Sequence, residues 1–261
     1  MTTAHVVYEK QGPIATLTFN RPEARNAMTW EMYEALANAC DRVDQDDEVR
    51  VFVLRGAGGR AFVAGTDISQ FQSFGSGEDG VQYEQRLVGV LDRLDRVQKP
   101  TIAQVQGVAA GGGCAIAFTC DLCVASLDST FGIPIARTLG NCLSAATCSR
   151  LLDIVGPGRV KDLLFTGRLV SAAEACTFGL VNRVVAAGDL DQAVRELASE
   201  IASNAPLTIR ATKELVRRIL NRRDLTAIDA ADLLAWCYGS ADFREGISSF
   251  LAKRRPQWKG K

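Results

Sequence analysis

One histidine occurs in 261 residues, and it is His5, close to where the chain begins. A Ser-His-Asp or Cys-His site would have to use that one residue, on a first edge strand, and a zinc site built from several histidines is excluded. Long apolar runs are missing too: none approaches the ~18 residues that read as a membrane span. An excess of either charge is absent, with 30 Lys and Arg against 30 Asp and Glu. Nucleic acid and membrane surfaces are therefore not the expected partners. The opening MTTAHVVYEKQGPI carries no basic segment followed by an apolar one, so the expected location is the cytoplasm. There is no Walker A sequence, no internal repeat and no low-complexity tract.

What is present is a core. The chain is 47% hydrophobic, enough to exclude disorder. Its eight cysteines sit mostly in apolar stretches such as CAIAFTCDLCVA and read as reduced, small core residues. CDLC is a lone CxxC without two further ligands, which favours buried structural thiols over zinc. GSGEDG at 75–80 fits GxGxxG, but it follows the polar stretch SQFQSF rather than a strand. It reads as a loop ahead of a helix, with Glu78 and Asp79 favouring the helix start.

The spacing of apolar residues predicts the order of elements. HVVYEKQGPIATLTFN gives two strands around a QGP turn. NAMTWEMYEALANACDRVDQD has helical spacing through Met28, Met32, Leu36, Ala39 and Val43, with Thr29 as its cap. VRVFVLRG and TIAQVQG are strands, AFVAGTDI is a short apolar run entering a turn, and EDGVQYEQRLVGVLDRLDRVQ is an amphipathic helix. Strand and helix alternate through CDLCVAS; from NCLSAATCSRLLDIVG onward the chain is mostly helical, apart from LVNRVV. The pattern is α/β with right-handed crossovers. It divides into a core over residues 1–200 and a helical C-terminal region over 201–261.

GVAAGGGCAIAF at 107–118 is the most informative stretch. Three glycines follow a strand and open a helix, where glycine costs backbone entropy. Amides at a helix N-terminus lack intrahelical partners and attract negative charge; tight packing of helix on strand would also select glycine. Ala64-Gly65-Thr66 forms a second small-residue turn after a strand. Two backbone donors from two such turns can converge on one oxygen as an oxyanion hole, each contributing roughly 3 kcal/mol to a transition state.

NRPEARNAMT, AFVAGTDI, GVAAGGGCAIAFTCDL, FGIP, LLFTGRLVSAAEACTFGLVNRVV and GISSFLAKRRPQWKGK, in that order over about residues 13–258, resemble the crotonase superfamily, the enoyl-CoA hydratase/isomerase family. The resemblance implies a crotonase-like α/β spiral of ββα turns stacked into roughly perpendicular sheets. It also implies a helical C-terminal trimerisation region, a homotrimer or homohexamer, and an acyl-CoA thioester as substrate. No prosthetic group or metal is implied, and coenzyme A enters as part of the substrate. By the same resemblance the oxyanion donors are the backbone N–H groups of Thr66 and Gly112, a role in which the Thr66 side chain should matter little. Coenzyme A contacts fall on Arg25, Ala27, Ala64, Asp67 and Ile68, and on Phe250 and Lys253, the last two often reaching a neighbouring subunit.

Two positions depart from the family's hydratases, which use two glutamates for acid–base work on water and the α-carbon. This chain has Ala115 after GGGC and Ile135 after FGxP. Nearby candidates are Arg137, for a carboxylate on the acyl group, and Cys142, as a nucleophile if a helix start favours its thiolate. Asn141 reads as the cap of that helix; Asp67, Asp121 and Asp128 match positions that look structural. Three readings remain open: a hydratase- or isomerase-type enzyme with a displaced acid or base, a decarboxylase- or hydrolase-like enzyme, and a non-catalytic CoA-binding protein.

Overall fold

The computed structural model describes residues 5–220 and 231–257. The end of the C-terminal match, residues 258–261, and part of the helical region, 221–230, lie outside the described residues.

Strands β1 (Val6–Gln11) and β2 (Ile14–Phe19) pair antiparallel across the Gly12-Pro13 turn. Then β3 (Val51–Gly56), β5 (Thr101–Val105), β7 (Leu122–Ser126) and β10 (Arg183–Val185) add in parallel, giving a six-stranded sheet of order β1-β2-β3-β5-β7-β10. A second, four-stranded sheet has the order β4-β6-β8-β9. It consists of β4 (Ala61–Val63), β6 (Val108–Ala110), β8 (Thr130–Gly132) and β9 (Val170–Ser171). Parallel strands need crossovers, which is why helices α1 (Trp30–Gln45), α2 (Gly77–Asp95) and α3 (Gly112–Thr119) separate them.

Burial on both faces explains the uninterrupted apolar run of β3. Phe52 and Leu54 enter the main core with Met32, Leu36 and Leu91, whereas Val51 and Val53 face the other way. That second face packs with Ile102 and Val124 against Leu190, Val194 and Leu197 of α7 (Leu190–Ser203). Thr29 caps α1 as its sequence predicts, its Oγ1 accepting from the Met32 N–H at 3.3 Å. Ahead of α2, the 75–80 glycine stretch is a helix entry: the Asp79 carboxylate accepts from the Gly75 and Ser76 N–H groups, each at 2.8 Å.

Beyond β8 come α4 (Ile135–Thr138), α5 (Ala145–Thr166, bent at Gly156) and α6 (Ala172–Phe178). After α7 follow α8 (Pro206–Leu220), α9 (Ala231–Tyr238) and α10 (Ala241–Leu251). α5 starts later than the sequence suggests. Ser144, not Asn141, is its cap, its hydroxyl accepting from the Thr147 N–H at 3.2 Å. The Asn141 amide instead donates to the Tyr238 hydroxyl at 2.9 Å. The CDLC cysteines Cys120 and Cys123 are both buried, and burial pushes their thiols up.

Candidate functional site

The register of the small sheet sets the site. β4 and β6 are parallel neighbours, with Ala61 opposite Val108 and Val63 opposite Ala109. Their C-terminal ends therefore emerge side by side, and ligands of open α/β sheets sit at that edge. The chain leaves β4 through Ala64-Gly65-Thr66 and leaves β6 through Gly111 into α3. The first turn is tied to the segment before α1: Met28 N–H donates to the Gly65 carbonyl at 2.8 Å and Asp67 N–H to the Met28 carbonyl at 2.9 Å. That pattern passes over Thr66. Neither the Thr66 N–H nor the Gly112 N–H has a backbone acceptor among the described residues. Gly112 is the first residue of α3, where an N–H has no intrahelical partner.

Each glycine of the triplet has its own cause. Gly111 has φ +51° and ψ −121°, a conformation closed to side chains. A Cβ on Gly113 would lie 2.0 Å from the Val63 carbonyl oxygen, so the helix could not seat on β4. A Cβ on Gly112 would lie 2.5 Å from the Tyr33 hydroxyl and 3.4 Å from Thr66 Oγ1. The Thr66 and Gly112 segments are thus in contact, and a side-chain hydroxyl stands where Gly112 has none.

That hydroxyl belongs to a buried group of three. Tyr33 and Thr66 are linked at 2.9 Å, and Thr66 and Tyr83 at 2.7 Å. Burial pushes both phenols above their usual value. The Trp30 ring packs on both tyrosines and the Phe71 ring meets Tyr83 edge-on, fixing the phenols in place. The Thr66 side chain thus joins two tyrosines, apart from the role the resemblance implies for its backbone N–H.

The residues expected to hold coenzyme A fall in two groups. Arg25 and Ala64 are joined by the Ala64 N–H to Arg25 carbonyl bond at 3.1 Å, and Ala27, Asp67 and Ile68 flank the same two segments. The Arg25 side chain is exposed on a backbone of φ +52°. Asp67 is half-buried; burial opposes its charge, but Ser69 and Arg21, the latter at 2.6 Å, hold its carboxyl below the usual value. Its side chain thus braces the loop. Phe250 and Lys253 stand at and after the end of α10, both exposed. α10 reaches the Ile68–Phe71 turn through Phe243 against Phe71.

The side-chain candidates fare differently. Arg137 is exposed on α4, close to Gly167. Cys142 precedes the α5 cap by two residues, and its hydrogen bond to Cys237, together with burial, pushes its thiol up. Cys142 therefore shares a hydrogen bond with Cys237 and lies just ahead of the helix start. Ala115 is buried in the first turn of α3, and Ile135 opens α4, half-buried.

Sequence reasoning missed a carboxylate. Glu84 on α2 is 3% exposed, and burial pushes its acid up to about 7, against hydrogen bonds donated by the Tyr238 hydroxyl at 2.7 Å and the Ser144 N–H at 3.2 Å. The signal was positional: Glu84 lies three residues from Val81 and from Leu87, inside the apolar stripe of α2. Tyr33 and Tyr83 likewise sit at stripe positions that read as ordinary core. A cavity of about 940 Å³ borders Glu84 and Ser144 and extends along Val88, Phe118, Arg150 and Lys213, without reaching Thr66 or Gly112. Among the described residues no group of three His, Cys, Asp or Glu is placed to hold a metal, and no helix is long and apolar enough to cross a membrane.

This arrangement is similar to known proteins over nearly the whole chain. The family model described as enoyl-CoA hydratase/isomerase matches residues 9–261. A short-chain-enoyl-CoA hydratase of Clostridium acetobutylicum is 34% identical over 261 residues, covering 98% of this chain and 97% of the relative. A methylmalonyl-CoA decarboxylase solved with 2S-carboxypropyl-CoA has a TM-score of 0.91 at 28% identity, covering 100% of both chains. An enoyl-CoA hydratase/carnithine racemase of Magnetospirillum magneticum has a TM-score of 0.81 at 30% identity, covering 100% of this chain and 97% of that one. The two sheets, their connecting helices and these likenesses make the fold crotonase-like, and the chain belongs to the enoyl-CoA hydratase/isomerase family.

Proposed function

We propose that this protein is an acyl-CoA enzyme that holds the thioester oxygen, as it becomes an enolate or oxyanion, on the backbone N–H groups of Thr66 and Gly112. The observation that carries this reading is the pair of adjacent β4 and β6 exits, each with an amide free of backbone acceptors. A preorganised pair of this kind is worth most away from water, and Thr66 is buried. Arg25, Ala27, Ala64, Asp67 and Ile68 line the coenzyme A path in this reading, with Phe250 and Lys253 from the C-terminal helix of the same or a neighbouring subunit. The assembly is a homotrimer or homohexamer in the cytoplasm. Its support is α8, which has no buried residue and leaves Leu207, Leu215, Val216 and Ile219 exposed.

The reaction is not two-glutamate hydration, because Ala115 and Ile135 transfer no proton. Decarboxylation of a malonyl-type thioester is favoured within this reading. Loss of CO₂ generates the enolate without a base, and the likeness to the methylmalonyl-CoA decarboxylase supports it. In that reaction Arg137 would orient the departing carboxylate. Gly112→Pro removes one donor and tests the site. CO₂ release from methylmalonyl-CoA should fall about 10²–10³-fold with the circular dichroism spectrum unchanged; retained turnover refutes the assignment. Enoyl absorbance lost from crotonyl-CoA at a rate near that of ordinary hydratases would refute the exclusion of hydration.

A further inference from the structure

Three hydroxyls close on themselves beside the oxyanion donors. Tyr33 and Thr66 are linked at 2.9 Å and Thr66 and Tyr83 at 2.7 Å, and the two phenols also hydrogen-bond to each other. Each hydroxyl has one proton to give, and the three links use all three. Tyr33 is fully buried, with Thr66 and Tyr83 nearly so; a closed set avoids the cost of an unmet buried donor. Its members come from three elements: Tyr33 from α1, Tyr83 from α2 and Thr66 from the exit of β4.

This ring touches both donor residues. Thr66 is part of it, and the Tyr33 hydroxyl lies 2.5 Å from where a Gly112 Cβ would stand. The Tyr33 oxygen is therefore wedged between Gly112 and Thr66 Oγ1. The bridge to Met28 ties the β4 exit to the segment before α1, but it has no hold on Gly112. Just ahead of Thr66, Gly65 at φ +101° gives the loop a freedom that other residues lack. Threonine is β-branched and stiff at χ1, so a Thr66 hydroxyl held by two tyrosines also holds its own backbone. The tyrosines are fixed in turn by the Trp30 ring against both and by Phe71 against Tyr83.

We infer that the hydroxyl ring of Tyr33, Thr66 and Tyr83 is a positioning device that sets the spacing between the Thr66 and Gly112 N–H groups. The inference rests on the acyl-CoA reading above and gives the Thr66 side chain a part in it. The three hydroxyls touch no substrate in this role; they act through the two backbone amides. Burial raises both phenols, so the ring stays neutral and sets no negative charge beside the oxygen that the amides polarise. An oxyanion hole works because its donors are placed before the charge develops, and a small misplacement costs rate steeply. Loss of the ring should therefore lower turnover and leave thioester binding in place.

Polarisation of the bound carbonyl tests this. Propionyl-CoA labelled with ¹³C at the thioester carbonyl is bound to the protein and its resonance is read by NMR. Donors that polarise a carbonyl move that resonance downfield, and the native protein should do so. Tyr33→Phe should bind propionyl-CoA by calorimetry as the native protein does but lose most of the downfield shift. Its kcat for CO₂ release from methylmalonyl-CoA should fall on the order of 10²-fold at unchanged KM. Thr66→Val keeps the backbone amide and the shape but cuts two links of the ring. It should give the same losses, and it carries the test if Tyr33→Phe fails to fold. Thr66→Ser returns the hydroxyl and should recover most of what Thr66→Val loses. The carbonyl shift decides the matter whichever thioester is the substrate. A native shift in both variants overturns the positioning role and leaves the acyl-CoA reading intact. So does a raised KM at native kcat, which marks a role in binding. Native protein that binds no thioester, or binds it without a shift, overturns both.

Discussion

Glu84 is the residue whose chemistry the surroundings change most plainly. Its acid is raised from 4.5 to about 7, so the folded chain holds that proton more tightly than the unfolded one. Its contribution to stability is then fully present below about pH 4.5 and is lost as pH rises through 7. The shift corresponds to about 3 kcal/mol. Thermal melts between pH 5 and pH 8 should show the native protein losing stability across that window, and Glu84→Gln, which keeps the shape and removes the titration, should flatten the slope. An unchanged slope would mean that the carboxyl is ionised throughout. The glycine triplet offers a second comparison. Gly113→Ala sets a methyl group against the Val63 carbonyl and should cost about 1–3 kcal/mol in urea unfolding. Gly112→Ala sets its methyl group against the Tyr33 hydroxyl and Thr66 Oγ1; it should likewise cost about 1–3 kcal/mol and, unlike Gly113→Ala, should lower turnover of the folded protein.

Among the elements, α1 links the local code to the site. Its apolar spacing and its Thr29 cap were legible in the sequence, because both arise within a few residues of chain. Thr29→Ala should cost ~1 kcal/mol of stability, measured by urea denaturation, and should loosen the first turn that carries Tyr33. A variant as stable as the native protein would show that packing alone holds that turn. The start of α5 was not legible. Asn141, Ser144 and Thr147 are all polar residues near an apolar run, and what separates them is distant: Tyr238 of α9 takes the Asn141 amide, and Glu84 of α2 takes the Ser144 N–H. The surroundings of Cys142 were hidden for the same reason, since its partner Cys237 is 95 residues away in the chain.

At the scale of the whole molecule, α8 presents an apolar face that no other element among the described residues covers, whereas α9 and α10 fold back to bury Tyr238, Phe243 and Ile247. If the proposed assembly forms through α8, Val216→Asp should lower the mass seen by light scattering to that of one chain. An unchanged oligomer would place the interface elsewhere. The sequence by itself determined the α/β alternation, the two small-residue turns and the family, since period, turn chemistry and ordered motifs are written locally. Tertiary structure alone decided that Thr66 bridges two tyrosines, that Tyr33 stands over Gly112 and that Glu84 keeps its proton near neutrality. Those facts depend on groups brought together across 17 to 154 positions of chain and on the water their packing excludes, and neither is encoded in any one stretch.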